Sequence, residues 1–124
     1  MSALTLENEV SGFCLRCNYR PVEMSIQKLT PVAHPDSVLE LEDGGAVIQE
    51  IDDYGTPIAN YIYFLEGSIE TKGGKAGWYT FNSAKGIYEL TDKVFAAGEG
   101  FIYNAPYFEN EDGDELPGYL QFAE

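Results

Sequence analysis

The sequence predicts an all-β fold, a single domain over residues 1–124 built as a sandwich or barrel of about eight short antiparallel strands. Three observations predict it. Apolar and polar residues alternate with period two in runs of strand length. Turn-forming residues interrupt those runs every 8–12 residues, and 13 Gly and 6 Pro leave little room for long helices. Aromatic residues make up 14% of the chain and hydrophobic residues 44%, enough to fill one core.

The elements follow in order. VSGFCLRCNY (10–19) and VEMSIQKLTPV (22–32) both alternate, the second offering Val22, Met24, Ile26 and Leu29 to the core. SVLELED (37–43) alternates briefly before the DGG turn, with a short helix over 35–42 as the lesser alternative. AVIQEI (46–51) and IANYIYFL (58–65) flank a loop dense in turn formers and form a hairpin. The second of these is almost wholly apolar, which predicts a central strand covered on both faces. WYTF (78–81) and IYEL (87–90) make another hairpin across NSAKG, FIYNAP (101–106) is a further strand, and YLQFA (119–123) is the last. The segment 3–10 is a natural partner for 119–123 within the chain, with an arm crossing to a neighbouring subunit as the alternative.

Formal net charge is −14. So acidic a surface repels nucleic-acid phosphates and anionic membranes, so neither is expected as a direct partner. Nothing approaches the ~18 apolar residues of a membrane span. MSALTLENEV has neither the basic start nor the apolar run of an export signal, so the chain is expected to be made and finished in the cytosol.

Chemistry-bearing motifs are sparse. AAGEGFIYNAP (96–106) has Tyr103 where a phosphate-binding loop needs a third glycine, and a strand-like run follows where a helix should start. It predicts a glycine turn feeding a buried strand, with Gly98 or Gly100 at positive φ. Cys14 and Cys17 form a lone C-x-x-C inside a strand-like run, where they point to opposite faces; structural thiols are the expectation. ENEDGDE (109–115) clusters oxygens around a glycine, but Phe108 would stand first in an EF-hand frame, so a solvated loop is preferred to calcium binding. Asp52 and Asp53 are adjacent in the chain and make poor acid–base partners. No nucleophile setting accompanies His34, the single histidine. No catalytic residue, metal or cofactor is therefore expected.

Two binding surfaces remain as candidates. Trp78, Tyr79 and Tyr103 could stack against a sugar, although aromatic residues in alternating strands more often belong to a core. Residues 72–93 carry Lys72, Lys75, Lys85 and Lys93 against Glu89 and Asp92, a net +2 where the rest carries −16, so this segment could dock the acidic face of a neighbour. Leu4 and Leu6 share a face of an extended N-terminal segment and join the lysines as candidate interface residues.

In NEVSGF (8–13), GWY (77–79), AAGEGFIYNAP (96–106) and GYLQFA (118–123), the chain resembles small all-β proteins of phage virions. These are decoration or head-associated subunits, with related β-domains on bacterial surfaces. The resemblance implies a non-enzymatic structural protein that acts through protein–protein contacts, as a homo-oligomer or with the major capsid or another virion protein. Its expected place is the virion, assembled in the host cytoplasm. A glycan-binding β-sandwich is the alternative. An acidic decoy that mimics nucleic acid, its carboxylates in spaced rows, is the second.

Overall fold

The computed structural model describes the backbone of residues 3–8, 12–17 and 23–123, and the side chains of residues 23–122. The all-β expectation holds. The strands are β1 (Ala3–Asn8), β2 (Gly12–Cys17), β3 (Met24–Ser25), β4 (Leu29–Val32), β5 (Ala46–Ile51), β6 (Pro57–Phe64), β7 (Gly77–Asn82), β8 (Ile87–Leu90), β9 (Val94–Phe95), β10 (Gly100–Ala105), β11 (Phe108–Glu109), β12 (Glu115–Leu116) and β13 (Gly118–Ala123). Among the described residues, nine of these have four or more residues and four are two-residue pairs.

A six-stranded antiparallel sheet in the order β2-β10-β5-β6-β7-β8 faces a three-stranded sheet, β1-β13-β4. The two close over one core, so the architecture is a sandwich. Leu29, Leu120 and Phe122 of the small sheet meet Ile48, Tyr63, Trp78 and Tyr103 of the large one in a single buried cluster. The alternation predicts this directly: β10 reads half-buried, buried in strict succession from Gly100 to Ala105. Tyr63 meets Trp78 edge-on at 5.2 Å, and Phe95 packs on Phe101 at 4.7 Å.

The hairpins predicted at 46–65 and 78–90 form, with Ile48 opposite Tyr61 and Phe81 opposite Tyr88. The N-terminal segment pairs within the chain, Leu4 opposite Phe122 and Leu6 opposite Leu120. At the 96–106 stretch Gly98 takes φ +79, the Glu99 amide donates to Ala96 O at 3.0 Å, and β10 follows without a helix.

Three expectations need correction. Segment 22–32 is not one strand: a 3-10 turn at Ile26–Lys28 divides it, capped by the Ser25 hydroxyl, which accepts from the Gln27 amide. The cause lies in the phase of the alternation. Met24 and Ile26 occupy even positions while Leu29 is odd, and an uninterrupted strand would turn Leu29 outward. The turn resets the phase, and all three side chains are buried. Segment 37–43 is neither strand nor helix. Its backbone is held by Val38 N–H donating to Glu109 O and by the Ser37 hydroxyl bridging Leu39, and among the described residues no strand forms a ladder with it. Finally, β6 is central but only its second half is covered: Tyr61, Tyr63 and Phe64 are buried, whereas Ile58 is exposed.

Candidate functional site

The sugar-stacking expectation is overturned by burial. Trp78 has no exposed surface, Tyr103 is 1% exposed and Tyr79 is 5% exposed. Trp78 sits in the core cluster with its indole N–H donating 2.9 Å to Leu29 O, which ties the large sheet to the small one. The Tyr79 hydroxyl donates 2.6 Å to Lys75 O, holding the 65–76 loop against the sheet. These rings fill the protein and offer no face to a ligand.

Gln27, which sequence reasoning passed over, supports Trp78. Its side-chain amide donates to Trp78 O at 2.9 Å and Thr91 O at 2.7 Å, while its carbonyl accepts from Trp78 N–H at 3.0 Å. The side chain completes the ladder beside β7 where β8 has ended. No local signal marks such a residue, because its partners lie 51 and 64 positions away.

The four lysines do not form one patch. Lys72 and Lys75 are exposed in the loop before β7, whereas Lys85 occupies the turn at the other end of that strand, ~20 Å away at ~3.3 Å per residue. Lys85 lies 3.8 Å from Glu89 on its own hairpin. Lys93 is mostly covered and neutralised internally: its ammonium lies 3.3 Å from Glu50 and 3.0 Å from Glu99, and 5.3 Å above the Phe95 ring. Burial pulls that ammonium down, but the Glu99 and Glu50 carboxylates outweigh it and hold the group above the usual lysine range. Glu50 accepts from the Tyr61 hydroxyl at 2.6 Å, and this bond, aided by Lys93, keeps its carboxyl below the ordinary range despite some burial. Burial and Glu50 together push the Tyr61 phenol well up. The group joins β5, β6 and the 96–99 turn and acts as a strut.

Leu4 and Leu6 lie in β1, paired to the chain's own β13; their side chains, and those of Cys14 and Cys17 in β2, fall outside the described residues. In the acidic loop, Asn110 Oδ1 accepts from the amides of Asp112 and Asp114 at 2.9 and 3.0 Å, closing the β11–β12 hairpin around Gly113 at φ +81. Among the described residues, no group of three or more His, Cys, Asp or Glu is placed to hold a metal ion. Asp52, too, serves its own turn, accepting from the amides of Tyr54 and Thr56. Among the described residues, no helix is long and apolar enough to cross a membrane.

One feature of the large sheet stands apart. Register places Ile48, Tyr61, Tyr63, Trp78, Phe101 and Tyr103 on the core side. The alternate positions therefore face outward: Val47 and Gln49 on β5, Asn60, Ile62 and Phe64 on β6, Tyr79 and Phe81 on β7, Tyr88 and Leu90 on β8, Ile102 and Asn104 on β10. None of them is charged, in a chain with 28 Asp, Glu, Lys and Arg. Its polar groups are neutral, the amides of Gln49, Asn60 and Asn104 and the phenols of Tyr79 and Tyr88, and Gln49 donates to Asn60 at 3.0 Å between neighbouring strands.

Part of this face is covered by the chain itself. Asp43 accepts from Leu65 N–H at 2.7 Å and from the Ser68 hydroxyl at 2.5 Å, joining the loops that lie over Phe64 and Tyr79. The remainder is open: Val47, Ile62 and Ile102 are half-buried, Phe81 is 55% exposed and Leu90 is 39% exposed. Phe81 and Tyr88 stack edge-on at 5.1 Å, so the open apolar surface is ordered. Strand β2 extends the sheet beyond β10, Leu15 opposite Ile102 and Phe13 opposite Asn104.

Against protein-family models, curated proteins and solved structures, the chain matches none.

Proposed function

We propose that this is a non-enzymatic structural protein, a phage virion subunit of the decoration or head-associated kind, which works by presenting a sheet surface to other proteins. The observation that carries this reading is the ordered, charge-free outer face of the six-stranded sheet on a chain of net charge −14. Contiguous apolar side chains left partly open on a sheet face are characteristic of interaction sites. The resemblance of NEVSGF, GWY, AAGEGFIYNAP and GYLQFA to virion proteins supplies the setting. The internal pairing of Lys93 with Glu50 and Glu99 supports a mechanical role for the polar groups. The major capsid protein, or another virion protein, is the partner in this reading, and the particle assembled in host cytoplasm is its location.

Mass spectrometry of density-purified particles tests the proposal. The chain should be present at a fixed copy number per particle, and its deletion should lower particle resistance to heat or chelation. Absence from purified particles would refute it. The glycan-binding alternative loses its motivating residues to the core, and a blank glycan array is the expected result. The decoy alternative needs rows of carboxylates, whereas Asp52, Asp53, Glu66, Glu70, Glu111, Asp112 and Asp114 lie in turns and loops.

A further inference from the structure

We infer that the uncharged outer face of the six-stranded sheet is a homodimer interface, on which a second copy of this chain packs face to face about a twofold axis. The inference rests on the structural-subunit reading and names the first partner of its surface.

Charge selects the occupant. A basic partner of so acidic a protein would gain most by meeting carboxylates, and this face has none to offer. A second copy is in the opposite position. Two chains of −14 repel each other wherever their acidic loops meet, and they approach closely only through a surface without charge. The described acids of the large sheet, Glu50 and Glu89, lie on its core side, and others lie in loops and turns such as 52–53, 66–70 and 111–114, so the outward strand positions of β5, β6, β7, β8 and β10 carry none. A twofold pairing brings the same patch together from both sides, so Ile62, Ile102 and Phe81 of one copy would lie against the equivalent surface of the other.

Size sets the strength. Six strands ~4.8 Å apart and ~20 Å long cover about 600 Å² per copy, part of it already under the 42–45 and 65–76 loops. With the loop-covered part removed the pair would bury about 1,000 Å² or less in all, in the range of weak, transient interfaces. The dimer should therefore be a reversible one, populated at tens to hundreds of micromolar. Its salt response follows: screening weakens the repulsion between the two acidic bodies while the apolar contact persists, so association strengthens as salt rises.

Sedimentation equilibrium of the full chain from about 5 to 300 μM, in 50 and 500 mM NaCl, reads these expectations. The wild type should pass from monomer to dimer, with a Kd at least threefold lower at high salt. Phe81→Glu should raise the Kd tenfold or more; Phe81 is 55% exposed, so the monomer's fold does not depend on it. Ile102→Glu, nearer the centre of the face, should abolish association. Thr30→Glu, exposed on the outward side of β4 across the sandwich, should leave it unchanged. A wild type that stays monomeric at 300 μM in 500 mM NaCl would overturn the inference. A dimer indifferent to both Phe81→Glu and Ile102→Glu would overturn it as well. Particle association separates this result from the broader proposal: a dimer absent from virions sinks the virion reading alone, whereas a particle-bound protein that is monomeric in solution sinks the dimer alone.

Discussion

The two faces of the six-stranded sheet are made by the same strands, one residue out of phase, yet they treat charge in opposite ways. On the core side, charge occurs at the rim and is answered within the chain: Glu50 by Tyr61 and Lys93, and Glu89 by Asn82 and Lys85. On the outer side no described strand residue is charged, and among the described residues the covering elements are the two loops over Phe64 and Tyr79. A half-buried carboxylate is tolerable only beside its partner. An apolar surface that the described chain leaves partly open needs no such local remedy, and in the proposed reading its complement is another molecule. The difference separates residues that build the monomer from those that have no structural task in it.

Trp78 and Phe81 lie on opposite faces of β7, three positions apart, and substitutions there should break the comparison most sharply. Trp78→Ala removes the largest fully buried side chain and its bond to Leu29 O, and should cost about 3–5 kcal/mol in urea unfolding. A loss under ~1 kcal/mol would mean that the two sheets are not joined there.

Gln27→Leu comes next. It takes the Gln27 partner from Trp78 N–H and Thr91 O, while Trp78 O keeps the Thr91 amide at 3.0 Å, and should destabilise by about 2 kcal/mol. Hydrogen exchange at the Trp78 amide should rise more than at amides of β10, since the damage is confined to the seam beside β7. Equal acceleration throughout the sheet would show that Gln27 acts globally.

Lys93→Met should cost less, about 1 kcal/mol near neutral pH, because the ion pairs are partly exposed. Its pH dependence is the sharper test. Glu50 has a lowered folded pKa, so its contribution is present above the unfolded carboxylate range and fades as pH falls through the folded value. Lys93 has a raised folded pKa, so its contribution is complete below the unfolded lysine value of ~10.4 and fades as pH rises through the folded one. The wild type should thus show a stability plateau that declines on both sides. In Lys93→Met the alkaline decline from this group should vanish and the acid decline should shrink. Identical pH profiles would show that the strut carries no stability.

Phe81→Glu should be the smallest of these in the monomer, within about 0.5 kcal/mol in dilute solution, while producing the largest change in association. Should it instead unfold the monomer, the outer face would belong to the protein's own core and the contrast between the faces would collapse.

The alternating runs at 46–51, 58–65, 78–81, 87–90, 101–106 and 119–123 could be read as strands because each strand's half-burial is written locally, two residues at a time. The glycine turn at Gly98 was readable for a similar reason, since a backbone position with φ +79 and a strand immediately after it leave a short-range mark. The stretch at 37–43 shows the limit of such reasoning: SVLELED alternates as a strand would, but among the described residues it joins no ladder, and its link to a strand is the single bond from Val38 N–H to Glu109 O of β11. The burial of Trp78, the clasp of Gln27 and the neutralisation of Lys93 by Glu50 also depended on segments tens of residues apart meeting in space. The outer face was hidden for a more specific reason. Where strands such as IANYIYFL are apolar at both phases, period two says that two faces exist but not which one is inside. The sequence alone determined that this chain would pair strands into an acidic all-β fold, sandwich or barrel; only the packing of the three-stranded sheet against one side decided that it is a sandwich, that Trp78 is core and that Phe81 is surface.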